Sequence, residues 1–99
     1  ILEGFGAQLQ SLTDYMILVP PLGMVSLYPG AGSHYIAHMD NEKDSTGRWR
    51  NYRILTMILY LNESGFSAED GGQLVCQVNN ENIEVVPKGG TCVVFDAKS

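Results

Sequence analysis

The chain has 99 residues, enough for one small domain, and an apolar fraction of 44% that is ordinary for a globular protein. Its formal net charge of −5, with no run of basic residues, argues against a nucleic-acid partner. The sequence shows no signal peptide, transit peptide or membrane-spanning segment, so we expect no membrane partner and a location in the cytoplasm or nucleus.

The first predicted element is an N-terminal helix. In residues 2–17, apolar side chains recur at spacings of three and four, which gives a helix one apolar face. Pro20 and Pro21 end it, because proline donates no backbone hydrogen bond and restricts the residue before it. We expect residues 1–21 to form this helix and its connection, and residues 22–99 to form the rest of a single, partial domain.

Short strands separated by turns follow the helix. They are predicted at residues 22–28, 35–40, 53–61, 73–78, 83–86 and 91–96. The polar residues 41–51 read as a long loop, and the run at 53–61, apolar on both faces, reads as a buried strand. Since no connection is helical, the sheets should be largely antiparallel, as in a two-sheet sandwich or jelly roll.

The two cysteines, Cys76 and Cys92, each lie inside an apolar run. Cysteine in such a setting usually behaves as a small apolar side chain. We therefore expect two free, buried thiols rather than a disulfide.

The motif that carries chemistry is His38-x-Asp40. Side chains two apart on a strand share a face, so this imidazole and carboxylate can occupy adjacent positions on one metal ion. A second histidine from a distant strand would complete the two-histidine, one-carboxylate site of non-haem Fe(II) enzymes. The alternative is a histidine that is hydrogen-bonded to its neighbour without a metal. His34, the other histidine, is too close in sequence to be the distant ligand, and we expect a polar turn residue there.

The residues around this motif identify a protein family more specifically than the motif alone does. Residues 24–41 closely resemble the Egl-nine type of prolyl 4-hydroxylase, the oxygen-sensing enzymes that act on hypoxia-inducible factor. A tyrosine, a Pro-Gly-x-Gly turn, a second tyrosine and His-x-Asp-Asn stand in family order, and the similarity continues through residues 58–62, 71–74 and 83–88. The resemblance implies a mainly β fold, the double-stranded β-helix (jelly roll, cupin-like) of the 2-oxoglutarate oxygenases. The N-terminal helix would precede it, and its C-terminal strands would follow Ser99.

The resemblance also implies roles for individual residues. His38 and Asp40 match the first two Fe(II) ligands, and the third, a histidine, is expected after Ser99, followed by an arginine that binds 2-oxoglutarate. The positions that match the 2-oxoglutarate pocket are Tyr28, Tyr60, Met24, Ile58 and Leu74. Tyr60 would donate to the distal carboxylate of 2-oxoglutarate; judged without the family, it is a core tyrosine bonded to a backbone carbonyl.

Three residues are candidates for substrate contacts. Arg53 matches a family arginine near the peptide substrate, although a surface charge at a strand end is an equal alternative. Tyr35 matches a tyrosine near the iron, which requires a bulge, since strict alternation places it opposite His38. Trp49 lies between Arg48 and Arg50, in the loop that closes over the substrate in the family. Because the residues of this loop differ from those of the family, the identity of the substrate stays open.

The function implied is hydroxylation of a prolyl residue in a protein or peptide substrate. Fe(II) would be the metal, 2-oxoglutarate and O₂ the co-substrates, and succinate and CO₂ the co-products, with ascorbate as a candidate reductant and oxygen sensing as a candidate role. Two alternatives remain open: a 2-oxoglutarate oxygenase that modifies another protein side chain, and a non-catalytic jelly-roll binding module.

Overall fold

The computed structural model describes residues 2–11, 18–20, 22–30 and 32–98. The chain divides into two compact units, Ile1–Ser33 and His34–Ser99. In the first unit, the structure describes a helix, α1, at Leu2–Ser11. The predicted helix is confirmed over that range, and its predicted continuation at 12–17 lies outside the described residues. Among the described helices, none has the length and apolar character needed to cross a membrane.

The second unit is built from four strands and a short 3₁₀ turn. The strands are β1 at Leu55–Leu59, β2 at Leu74–Val78, β3 at Glu81–Val85 and β4 at Cys92–Asp96, and the 3₁₀ turn spans Ala68–Asp70. β1 pairs with β4 and β2 pairs with β3, both antiparallel. The β2–β3 hairpin is thus nested between β1 and β4. The antiparallel prediction is confirmed, and nested antiparallel pairs are what a jelly roll contains.

The β2–β3 hairpin closes through a two-residue turn. Val78 pairs with Glu81, and Asn79 and Asn80 between them have φ angles of 51° and 66°. Asparagine tolerates this left-handed region, and two such residues give the turn whose twist matches a hairpin. β3 therefore starts two residues earlier than the strand predicted at 83–86.

The segment that follows β1 and the segment that leads into β4 meet at a corner of close backbone contacts. Tyr60 N donates to Thr91 O at 2.9 Å, and Gly90 N donates to Tyr60 O at 2.9 Å. The Asn62 side chain donates to Pro87 O at 2.6 Å. A Cβ on Gly89 would overlap the Asn62 carbonyl oxygen and lie 2.7 Å from its carbon. This corner therefore requires glycine at position 89.

Two predicted strands are not formed. Residues 22–28 and 35–40 have no strand conformation, and no described segment pairs with either of them. A strand needs a neighbour for its backbone N–H and C=O groups, which the apolar pattern alone does not supply. The second segment is attached instead at its end, where Asn41 N donates to Ala97 O at 2.7 Å.

Three described residues of the second unit are buried, namely Asn41 and Ala97 at the base of the long loop and Pro87 after β3. Ala97 is fully buried and Asn41 is 1% exposed. The strand predicted at 53–61 is confirmed over the shorter range of β1, but its predicted burial is wrong, since its side chains are half-buried or, at Leu59, exposed. Both cysteines are free, as predicted, but Cys76 is half-buried and Cys92 is exposed rather than buried.

Candidate metal-binding site

The structure places His38 and Asp40 side by side. His38 Nε2 lies 3.2 Å from Asp40 Oδ1, with the two side chains 54% and 18% exposed. Their segment is not a strand, so the contact does not come from the alternation used to predict it. It comes instead from the hydrogen bonds that hold each side chain.

The His38 ring is oriented by its own backbone segment. Nδ1 lies 2.7 Å from Ile36 O. A carbonyl oxygen only accepts hydrogen bonds, so this contact requires the proton on Nδ1. A metal ion bound to Nε2 and Oδ1 would accept an electron pair from each atom, while the Nδ1 N–H kept its hydrogen bond to Ile36 O. Metal-binding histidines usually donate their second N–H in this way. The pair therefore fits a divalent metal ion.

Asp40 is oriented by β1 and by the far end of the loop. Thr56 Oγ1 donates to Asp40 Oδ2 at 2.5 Å, and Asn51 Nδ2 donates to the Asp40 backbone carbonyl at 3.0 Å. Among the described residues, no lysine or arginine forms an ion pair with Asp40. Its negative charge thus remains available to a cation.

Asn41 closes the loop that follows Asp40. Its Nδ2 donates to Asn51 O at 3.0 Å and to Arg53 O at 2.9 Å, and its Oδ1 accepts from Asn51 N at 3.2 Å. These bonds and the Asn41 N to Ala97 O bond tie both ends of the loop to the end of β4. We call Asn41, Asn51 and their hydrogen bonds the amide clamp.

Sequence reasoning did not assign functions to Thr56, Asn41 or Asn51. Two signals were available in the sequence. Thr56 is the only polar residue in β1, and Asn41 follows the His-x-Asp motif directly. The third, Asn51, carries no such signal, because the bonds that join it to Asp40 and Asn41 span ten or more residues of the chain.

Tyr35 lies beside the candidate ligand His38. The two ring centroids are 5.7 Å apart and the ring planes are tilted by 59°. The bulge that strand alternation would require is unnecessary, because the segment is not a strand. The structure thus brings Tyr35 close to the ligand pair, and its contact with substrate stays a prediction.

Residues 42–50 form a folded hairpin-like loop rather than the open loop suggested by their polarity. Lys43 and Trp49 form a β-bridge, and Asp44 N donates to Arg48 O at 2.8 Å. Two ammonium groups contact the Trp49 ring, with Lys43 Nζ at 5.1 Å and Lys98 Nζ at 4.6 Å from its centroid. Cation–π packing therefore holds Trp49 in the loop, and 42% of it remains exposed.

The tip of this loop is organised by Asp44. Its Oδ1 accepts from the Thr46 hydroxyl at 2.6 Å, from Thr46 N at 2.8 Å and from Arg48 N at 3.1 Å. Hydrogen bonds from the Thr46 hydroxyl, then from the Arg48 and Thr46 backbone, lower the pKa of Asp44 below its ordinary value.

Arg53, the other predicted substrate residue, has an exposed side chain, and its backbone N–H donates to Asn51 Oδ1 at 2.8 Å.

The predicted 2-oxoglutarate residues are distributed over both units. Ile58 lies on β1, Tyr60 directly follows that strand, and Leu74 is on β2, all three half-buried. Met24 and Tyr28 belong to the first unit, where both are exposed. The pocket that these five residues would form stays a prediction.

A third metal ligand is not found in the described part of the chain. Within residues 2–11, 18–20, 22–30 and 32–98, no three His, Cys, Asp or Glu side chains are grouped so as to hold a metal ion. The histidine expected after Ser99 therefore stays a prediction.

Comparison with known proteins defines the class. The sequence model of the 2OG-Fe(II) oxygenase superfamily matches residues 23–99, so the chain belongs to this superfamily of oxygenases. Among its relatives is a hypoxia-inducible factor prolyl hydroxylase from Caenorhabditis elegans, 33% identical over 75 residues. The alignment covers 73% of this chain and 9% of that relative, so the chain spans only a small part of the relative's length. No solved structure matches the chain significantly.

Proposed function

We propose that the protein containing this chain is an Fe(II)- and 2-oxoglutarate-dependent dioxygenase that hydroxylates a prolyl residue of a protein substrate. The observation that carries the proposal is the pairing of His38 Nε2 with Asp40 Oδ1, with the other histidine nitrogen bound to a backbone carbonyl. Membership of the oxygenase superfamily supports the reaction class. The similarity to a hypoxia-inducible factor prolyl hydroxylase supports a prolyl residue of a protein as the substrate.

His38 and Asp40 would hold the Fe(II), together with the histidine expected after Ser99. When bound with 2-oxoglutarate and O₂, the metal supplies oxidative chemistry that places one oxygen atom on the substrate and one in succinate, with release of CO₂. The Ile36 carbonyl fixes the ring orientation of His38, and Thr56 fixes that of the Asp40 carboxylate. These residues thus hold two ligand atoms in place before the metal binds.

We propose that Tyr60, Ile58 and Leu74 contact 2-oxoglutarate. For Met24 and Tyr28, the same role is proposed from the resemblance alone. The Tyr60 hydroxyl would donate to the distal carboxylate, and the apolar side chains would exclude water from the bound co-substrate. Ascorbate is proposed as the reductant that keeps the iron in its Fe(II) state.

The substrate would contact the protein near Tyr35 and the loop at 42–50. Tyr35 is 65% exposed and adjacent to His38, so it is available to a peptide at the metal site. Arg53 and Trp49 are the other proposed contacts. The hairpin-like fold of the loop gives it a defined surface on which a peptide can bind with little further ordering.

The test is turnover by the full-length protein with Fe(II), 2-oxoglutarate and proline-containing peptides. We expect succinate in proportion to a mass gain of one oxygen that maps to proline. His38→Ala should abolish both products, whereas His34→Ala should retain them. Modification at another residue would replace this proposal with an oxygenase acting on a different side chain. Absence of succinate, or full activity in His38→Ala, would favour a non-catalytic binding module.

A further inference from the structure

We propose that Thr56 is a positioning residue whose hydroxyl sets the orientation of the Asp40 carboxylate for metal binding. The inference rests on the proposed function in one respect, namely that His38 and Asp40 bind the metal. It adds a residue from β1 to the determinants of that site and predicts how metal affinity depends on it.

The first argument is the geometry at the carboxylate. Thr56 Oγ1 lies 2.5 Å from Asp40 Oδ2, a short hydrogen bond to a charged acceptor, while Oδ1 is the oxygen that lies 3.2 Å from His38 Nε2. The carboxylate torsion is otherwise broad. The hydrogen bond from Thr56 to one oxygen holds this torsion at the value that directs the other oxygen at His38.

The second argument is the rigidity of the donor. Thr56 lies within β1, opposite Phe95 of β4, so the sheet holds its backbone. A β-branched side chain also has restricted rotation about its first torsion. The hydroxyl is therefore presented in a fixed direction, which a donor on the exposed part of the loop could not provide.

The third argument concerns charge and strand composition. A neutral hydroxyl orients the carboxylate without cancelling its charge, which a lysine or arginine would do. The other residues of β1 are Leu55, Met57, Ile58 and Leu59, all apolar. Valine would suit a strand position as well as threonine does. Strand formation therefore does not account for the hydroxyl at position 56, whereas orientation of Asp40 does.

The test is metal affinity, measured by calorimetric titration of Mn(II), an oxygen-stable substitute for Fe(II), into the full-length protein without substrate. Thr56→Val keeps the branched shape and removes the donor, and we expect roughly 10–100-fold weaker binding, the usual effect of losing an outer hydrogen bond to a ligand. Thr56→Ala should weaken binding similarly, and Thr56→Ser, which keeps the hydroxyl, should restore it to near the wild-type value. Thr91→Val, the same substitution beside the other end of this sheet, should leave affinity unchanged.

Several results would overturn the inference. These are wild-type affinity in Thr56→Val and Thr56→Ala, failure of Thr56→Ser to restore binding, an equal loss in Thr91→Val, or metal binding that is unchanged in His38→Ala. The proposed function fails separately, since a wild-type protein that binds Mn(II) but hydroxylates no prolyl residue would contradict it while the affinity series still supports Thr56.

Discussion

The amide clamp and the corner at Asn62 and Gly89 are held together by different kinds of contact. At the clamp, the Asn41 and Asn51 side chains bind backbone groups far away in the sequence. At the corner, most contacts join backbone to backbone, and Gly89 permits the close approach. The clamp therefore depends on the amide groups of two side chains, whereas the corner depends mainly on the absence of a side chain at Gly89. The candidate ligand Asp40 belongs to the clamp, so its position depends on polar side chains near the site.

The largest expected effect comes from breaking the clamp. Asn41→Ala would leave the Asn51 N–H and the Asn51 and Arg53 carbonyls without their partner in a buried place. We expect a loss of about 3 kcal/mol in the free energy of unfolding, since buried polar groups without partners are costly. Urea denaturation of the full-length protein measures this loss.

The matched control is Asn82→Ala. Asn82 is an exposed asparagine in β3, paired through its backbone with Gln77, and its removal should cost no more than about 0.5 kcal/mol. Equal losses for the two variants would contradict the role assigned to the clamp.

A smaller effect is expected at the corner. In Gly89→Ala, the added methyl group would overlap the Asn62 carbonyl, and the backbone must move to relieve it. We expect a loss of about 2 kcal/mol, typical of overpacking. Gly65→Ala is the control, because a Cβ there meets nothing within 4 Å. If both alanine variants unfold at the same urea concentration, the close contact assigned to Gly89 is wrong.

The smallest effect concerns Asp44 at the exposed tip of the loop. The pKa of Asp44 is lowered in the folded loop. Its contribution to the free energy of unfolding is therefore fully present above the ordinary pKa of 3.8 and is lost as the pH falls through the lowered pKa of the folded state. NMR titration of its carboxyl group should give a midpoint below 3.8. Thr46→Ala, which removes the hydroxyl with the largest effect on this pKa, should raise that midpoint, and an unchanged midpoint would contradict the assigned cause.

The sequence predicted some parts of this structure better than others. Apolar runs bounded by Gly, Pro and Asn located all four observed strands, because turn residues and strand residues differ in local chemistry. The same signal predicted strands at 22–28 and 35–40 that the described structure lacks, because local pattern does not supply a pairing partner.

For the site, the resemblance selected His38 and Asp40, and the structure places them in contact. It could not supply Asn51 or the donor role of Thr56, since those depend on which distant segments meet in the fold. The contacts of Trp49 could not be predicted from the sequence either, because Lys43 and Lys98, which both contact its ring, are far apart in the chain.

The most direct test of the central claim is metal binding by the full-length protein and two histidine variants. The account predicts that wild type and His34→Ala bind Mn(II) with equal affinity and that His38→Ala loses this site. Equal binding by all three proteins, or no binding by the wild type, would contradict the claim that His38 and Asp40 form the metal site.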